Sequence, residues 1–205
     1  SLSSDFTQRN ERWLETPMSF LEHARISADG ERALVIARGR AVIASSDKSR
    51  RVDLGVADGT RISEAVFSPD RRYVFAISDA SGEEEIWRYS SDGSTEAVQF
   101  TRDGETQRHG LTVSPDGKWL THSDKRGRLW LLDIASQKQR VIDDAGRESQ
   151  QAASDVAWSS DGKFVAFTRV SKSGTHSRLA IYSLDHDAMQ WLSSDKYDSH
   201  SPAFS

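Results

Sequence analysis

Three consecutive residues, His122-Ser123-Asp124, have the side-chain types of a nucleophile, its base and the carboxylate that orients the base. Acyl transfer at such a triad needs the three groups to converge on one point. The residues around them, Trp119-Leu120-Thr121 and Arg128-Leu129-Trp130, are aromatic, β-branched and apolar in the manner of strands. Neighbours on a strand point to opposite faces, so the trio is not read as catalytic. The 205 residues contain no G-x-S-x-G, no H-E-x-x-H and no glycine-rich phosphate loop. Six histidines (His23, His109, His122, His176, His186 and His200) raise the question of a metal. His23, His109 and His200 occupy equivalent places in a repeat described below, but its fourth copy has no histidine there. The expected role is a polar, wet lining, with no metal and no other cofactor. With no cysteine, a disulfide framework, a thiol nucleophile and a cysteine metal site are all excluded.

The elements that would position any site come from a repeat. Ser27, Ser68, Ser114 and Ser159 each follow an apolar residue and precede Asp at the second position on: Asp29, Asp70, Asp116 and Asp161. The spacings are 68−27 = 41, 114−68 = 46 and 159−114 = 45. A period in the forties suits propeller blades or paired helices. The run after each turn alternates with period two, and helical stripes are missing from the middle of the chain, which favours strands. The third copy divides into strands at 109–114, 118–123, 128–134 and 138–143, the fourth at 154–159, 163–169, 178–184 and 189–193. Four antiparallel strands per period make a propeller blade.

The chain is therefore expected to be all-β: a β-propeller segment of about four four-stranded antiparallel blades plus the first strand of a fifth, part of a six- or seven-bladed ring. Residues 1–20 read as a lead-in linker or short helix, and 21–205 as the partial propeller. Its blades are expected at about 21–57, 58–103, 104–149 and 150–196, with the next opening at 197–205. Asp29, Asp70, Asp116 and Asp161 are read as turn residues, since Asp bonds nearby backbone N–H groups and the following Gly tolerates a positive φ. Arg71, which replaces Gly in the second copy, should weaken that turn. Ile26, Phe67, Val113 and Trp158 should pack between blades, as should Trp87, Trp119 and Trp130. The loop 171–176 should be a flexible hairpin tip.

In a propeller the innermost strand of each blade lines a central channel. That places Arg25, Arg61, Glu64, His109 and Asp155 near the channel. Arg102, Arg108 and Arg147 fall in loops leading into blades, at the rim. An arginine can hold a carboxylate bidentately, which suits capture of a peptide. The net charge of −4, with 27 basic against 31 acidic residues, gives no basic face for nucleic acid. No apolar run is long enough to span a membrane. The first residues have neither the basic nor the apolar region of a signal peptide.

The repeated (Trp/Phe)-Ser-Pro-Asp-Gly-Lys unit resembles the WD-like repeat of TolB, of tricorn protease and of prolyl-oligopeptidase-type propellers. Three stretches are more similar to tricorn-type proteases: LEHARISADGERALVIARGRAVIA from Leu21, SDKRGRLWLLDIASQKQRVID from Ser123, and YDSHSPAFS from Tyr197. The resemblance implies a non-catalytic propeller of a serine peptidase, with the catalytic residues elsewhere in the parent protein. Its partners would be peptides or unfolded polypeptide segments and the rest of the protease. A cytoplasmic location is expected, or a periplasmic one if a longer chain carries a signal peptide. Open blade faces would favour self-association. The alternatives are a TolB-like scaffold for protein partners in the bacterial envelope, and the propeller lid of a prolyl-oligopeptidase-type hydrolase.

Overall fold

The computed structural model describes residues 16–45, 51–54, 59–146, 153–170 and 176–204. A short 3-10 turn, Pro17–Phe20, leads into sixteen strands. The first sheet holds β1 (Leu21–Ile26), β2 (Arg32–Ala37), β3 (Arg40–Ser45) and β4 (Arg51–Asp53). The second holds β5 (Ile62–Phe67), β6 (Tyr73–Ser78), β7 (Glu85–Ser90) and β8 (Val98–Gln99). The third holds β9 (Arg108–Val113), β10 (Trp119–Asp124), β11 (Arg128–Asp133) and β12 (Gln139–Asp144). The fourth holds β13 (Ser154–Trp158), β14 (Phe164–Val170), β15 (Ser177–Ser183) and β16 (Ala188–Trp191). Each sheet is an antiparallel meander in chain order, the architecture of a propeller blade. Observed and expected strand ends in the third and fourth blades differ by at most two residues.

One turn, built four times, joins the first and second strands of every blade. The Ser hydroxyl donates to the Asp carboxylate at 2.5 Å in the first copy and 2.6 Å in the other three. The same hydroxyl oxygen accepts from the backbone N–H five residues on, at Arg32, Tyr73, Trp119 and Phe164, over 2.9–3.0 Å. The Asp carboxylate also accepts from the N–H two residues on. The Ser68 hydroxyl and then Arg72 hold the Asp70 carboxyl down to about 2. The Ser159 hydroxyl and the Lys163 N–H lower Asp161 in the same way. At Asp116 desolvation pushes upward, but the Ser114 hydroxyl and Lys118 outweigh it.

The fourth turn residue takes a positive φ every time: 75° at Gly30, 61° at Arg71, 72° at Gly117 and 71° at Gly162. With Arg71 in place of glycine the second turn keeps the geometry of the other three. Arg71 accepts the left-handed conformation, and its guanidinium reaches the neighbouring blade to pair with Asp29. At Gly162 an added Cβ would sit 3.2 Å from Cγ of Asp116, so this turn needs glycine for close approach as well as for φ.

Because the turns fix register, the alternating residues of each blade face its two neighbours. Leu34, Ile36 and Ile43 of the first blade meet Ile62, Val74 and Ala76 of the second. Phe75, Ile77 and Ile86, from the other side of the second blade, meet Leu111, Leu120 and Leu132 of the third. Leu129 and Leu131 then meet Val165, Phe167 and Tyr182 of the fourth. Phe67, Val113 and Trp158 pack between blades as expected, each toward the preceding blade. Ile26 does not, and is 73% exposed, because no preceding sheet lies against it among the described residues. Trp87, Trp119 and Trp158 join the interblade clusters. Trp130 instead stacks on His122 with ring centroids 6.0 Å apart and donates its indole N–H to Asp124.

The first strands lie together: β1 contacts β5, β5 contacts β9, and β9 contacts β13. They are the strands nearest the axis. Segment 197–204 follows the fourth blade, where Ser199 N–H donates to Ser177 O over 2.9 Å.

Removing the fully buried Ser114 hydroxyl in Ser114→Ala leaves the Trp119 N–H and Asp116 without their partner. It should cost about 1–3 kcal/mol in urea unfolding. Gly162→Ala should cost more than Gly30→Ala, about 1 kcal/mol for the latter, since nothing lies within 4 Å of a Cβ at position 30.

Candidate functional site

The axial strands carry a cleft at each end. At the end where β1 and β5 begin, a cleft of about 260 Å³ is lined by Glu22, Arg61, Ile62, Ser63, Asp79 and Glu84. At the opposite end, beside the Ser-Asp turns, a cleft of about 630 Å³ is lined by Arg25, Ile26, Val66, Phe67, Val113 and Pro69 among others. A six-residue strand spans about 20 Å, which is the distance between the two ends. The first cleft is polar and mostly acidic. The second is apolar with one cation.

Arg25 lies in β1 and is exposed, and Arg61 is exposed just before β5. Arg102 is exposed in the loop between β8 and β9. None of these three guanidinium groups has an ion-pair or hydrogen-bond partner among the described residues. Arg61 packs its stem against Gly39, whose Cβ, if present, would be 3.0 Å from Arg61 Cβ. Arg147 lies outside the described residues.

Arg108 is not a rim residue. It opens β9 and is 5% exposed. Its guanidinium lies 3.2 Å from Glu85, pairs with Asp103, and donates to the carbonyls of Glu84 and Thr106 at 2.8 and 3.2 Å. Thr101 donates its hydroxyl to Glu85, and Gly104 N–H donates to the same carboxylate at 2.6 Å. Gln139 donates to Asp103 at 2.8 Å, and Gln139 Oε1 is 3.1 Å from His122 Nε2. The result is one polar network between the second and third blades. Buried charge of this kind persists only when paired and hydrogen-bonded.

Glu64 and Asp155 share a different use. Glu64 accepts from the N–H groups of Gly110 and Leu111 in the next blade, both at 3.0 Å. Asp155 accepts from Ser201 N–H and the Thr168 hydroxyl, each at 3.2 Å. Gly110, Asp155 and Ser201 stand four residues before their respective turn serines and all have positive φ, of 69°, 49° and 55°. The register shifts near this position in β9 and β13, and at Gly110 and Ser201 the N–H meets a carboxylate of the previous blade. His109 is half-buried, while His23 and His200 are exposed. Among the described residues no three His, Cys, Asp or Glu lie close enough to share a metal ion.

His122, Ser123 and Asp124 have separate partners. His122 is buried and bonded to Gln139, and desolvation pushes its imidazole down to about 4. The Ser123 hydroxyl donates to Ala153 O at 2.9 Å. Asp124 accepts from Arg128 Nε and Trp130 Nε1 at 2.7 and 2.8 Å. All three hold strands together, and none addresses a cleft. Sequence reasoning did not single out Glu22, Asp79 and Glu84. The available signal was the run Glu83-Glu84-Glu85 in a hairpin that opens at the same end as Arg61.

A family model described as the tricorn protease second beta propeller domain matches residues 21–205. The chain belongs to that family. A protein of Sulfurisphaera tokodaii named as a Tricorn-like protease C-terminal subunit is 27% identical over 134 residues, covering 65% of this chain and 15% of that protein. The crystal structure of the tricorn protease is similar at a TM-score of 0.77 and 18% identity, over 92% of this chain and 18% of that one. TolB from Acinetobacter baumannii is similar at 0.63 and 19%, over 86% of this chain and 45% of that one. The chain thus spans less than a fifth of the tricorn-type proteins it matches, and the TolB likeness is one of fold. Among the described residues of this tricorn-type propeller, no helix is long and apolar enough to cross a membrane.

Two measurements test the network. Arg108→Met strands the Glu85 carboxylate and should cost about 3–5 kcal/mol, whereas Arg102→Ala should stay within about 0.5 kcal/mol. His122 binds its proton more weakly folded than unfolded, so the unfolded state takes up more protons between pH 6.5 and 4. Stability should therefore fall with pH across that window, by up to about 3 kcal/mol, and His122→Gln should flatten the decline in unfolding curves.

Proposed function

We propose that this propeller is a non-catalytic part of a tricorn-like serine protease that receives peptides along its axis and passes them to catalytic residues elsewhere in the parent protein. The observation that carries this reading is the alignment of β1, β5 and β9 beside one another with a cleft at each end. Each cleft has one guanidinium without an ion-pair or hydrogen-bond partner among the described residues, Arg61 at one end and Arg25 at the other. An extended peptide of about six residues spans the same length as the strands. Its carboxylates suit the two arginines, and its apolar side chains suit Val66, Phe67 and Val113. His109 belongs to the polar lining, and Arg102 to the rim. Glu64 and Asp155 keep the lining strands in place. The partners are peptides or unfolded segments and the rest of the protease, in the cytoplasm.

Short fluorogenic peptides test this. The chain alone should not cleave them, and the full-length protein should. In the full-length protein, Arg25→Ala and Arg61→Ala should raise KM several-fold with little change in kcat, since they remove binding that does not change during chemistry. Cleavage by the chain alone, or none by the full-length protein, would overturn the proposal.

A further inference from the structure

We infer that the bulge of β13, where it lies beside β9 at the seam between the third and fourth blades, is a binding site for a carboxylate group. On the reading above, on which this last step rests, the carboxylate is a peptide's, either its carboxyl end or an acidic side chain.

One polar contact recurs between blades at the axis. Glu64 of the second blade accepts from Gly110 N–H and Leu111 N–H of the third, one carboxylate oxygen to each, both at 3.0 Å. Asp155 of the fourth blade accepts from Ser201 N–H in the segment that follows it. Glu64 and Asp155 both stand four residues before their turn serine. In the third blade that place belongs to Gly110, which has no side chain to offer the fourth. The receiving half of the contact is nevertheless built. The φ is 49° at Asp155 against 69° at Gly110. In β9, His109 and Thr112 pair with β10, and the two residues between them have no register partner. In β13, Ser154 and Ala157 pair with β14, and Asp155 and Val156 between them have none. The N–H groups of Asp155 and Val156 therefore take the directions of those of Gly110 and Leu111. No side chain among the described residues accepts from them.

The space opposite is open. A Cβ at Gly110 would meet only Ser123 Oγ, at 3.9 Å, an ordinary van der Waals contact. Successive N–H groups beside a left-handed residue form a concavity that suits an anion. One blade earlier the equivalent pair of donors holds a carboxylate, with one oxygen on each N–H. A carboxylate carries two acceptor oxygens and matches two donors, whereas a cation has nothing to accept from them. The two neighbouring carboxylates are already engaged: Glu64 by its two N–H groups, Asp155 by Ser201 N–H and the Thr168 hydroxyl. The donors in the β13 bulge are uncharged, so the expected gain is several-fold rather than many orders of magnitude.

The probe is a tetrapeptide without Asp or Glu, carrying an uncharged N-terminal fluorophore and titrated by anisotropy against the full-length protein. Its free acid should bind about three- to tenfold more tightly than its C-terminal amide. Gly110→Asp supplies the missing carboxylate from the chain itself, at a positive φ such as Asp155 already adopts, and should abolish the preference. Gly110→Ala adds a Cβ without a carboxylate and should keep it. Amide hydrogen exchange across 154–157, read by mass spectrometry, needs no variant and decides alone if Gly110→Asp does not fold: the free acid should slow it and the amide should not. Amide peptides with one Asp or one Asn separate the two sources. A preference for Asp assigns the site to any peptide carboxylate, and a preference for the free acid alone assigns it to the carboxyl end. Equal binding of acid and amide, with equal exchange, leaves water in the bulge and overturns the site, while peptide passage stands. A preference that survives Gly110→Asp, or that comes with no slowing at 154–157, places the carboxylate elsewhere and also overturns the site. Propionate separates this inference from the one before it. If propionate slows exchange at 154–157 where propionamide does not, while no peptide binds, the carboxylate site holds and peptide passage falls. If neither propionate nor any peptide acts, both fall.

Discussion

A single hydroxyl per blade sets the geometry on which the rest depends. Ser27, Ser68, Ser114 and Ser159 each donate to an aspartate and accept from a backbone N–H across the same turn. Buried as they are, these serines leave water little part in holding the turn. The bond fixes where the first strand stops and the second starts. A slip of one residue would turn every side chain of that hairpin to the opposite face. Because the register is the same in each blade, the apolar sets of neighbouring blades meet: Leu34 with Val74, Phe75 with Leu120, Leu131 with Phe167. The turns also touch one another, through Arg71 and Asp29, and through the narrow gap between Gly162 and Asp116.

Polar contacts then settle how blades sit side by side. They are concentrated at the axis and at the ends of strands, where apolar packing stops. Glu64 reaches the bulged N–H groups of the third blade, and Asp155 reaches Ser201. Arg169, buried in the fourth blade, donates to Gly127 O of the third at 3.0 Å, and burial pushes its guanidinium down to about 10. The Arg108 network does the same work between the second and third blades. Charges near the axial strands are therefore divided: some are tied into the frame, whereas the guanidinium groups of Arg25 and Arg61 have no ion-pair partner among the described residues.

The period, the blade count, the four Ser-Asp turns and the strand order were legible in the sequence, because each rests on local patterning that recurs. What was not legible depends on which sheet lies against which side chain. Arg108 reads as a loop cation until Glu85 and Asp103 of the neighbouring blade close over it. Ile26 matches Phe67 in its repeat position, yet it is exposed because burial there comes from a preceding sheet. Arg71 reads as a turn residue alone, and its pairing with Asp29 depends on the neighbouring blade. Trp130 reads as interblade packing, but the Asp124 carboxylate on the adjacent strand captures its indole N–H. The smaller cleft escaped notice because Glu22, Ser63 and Asp79 are far apart in the chain and carry no shared motif.

The central proposal is that the first strands of three blades, β1, β5 and β9, line a path for peptides. Photo-crosslinking tests it most directly: a peptide carrying benzoylphenylalanine, irradiated with the full-length protein, with the adducts mapped by mass spectrometry. The account predicts adducts within 22–28, 61–69 and 109–115. Adducts confined to the outer strands, at 51–53, 98–99, 139–144 and 188–191, would contradict it, as would none on this propeller.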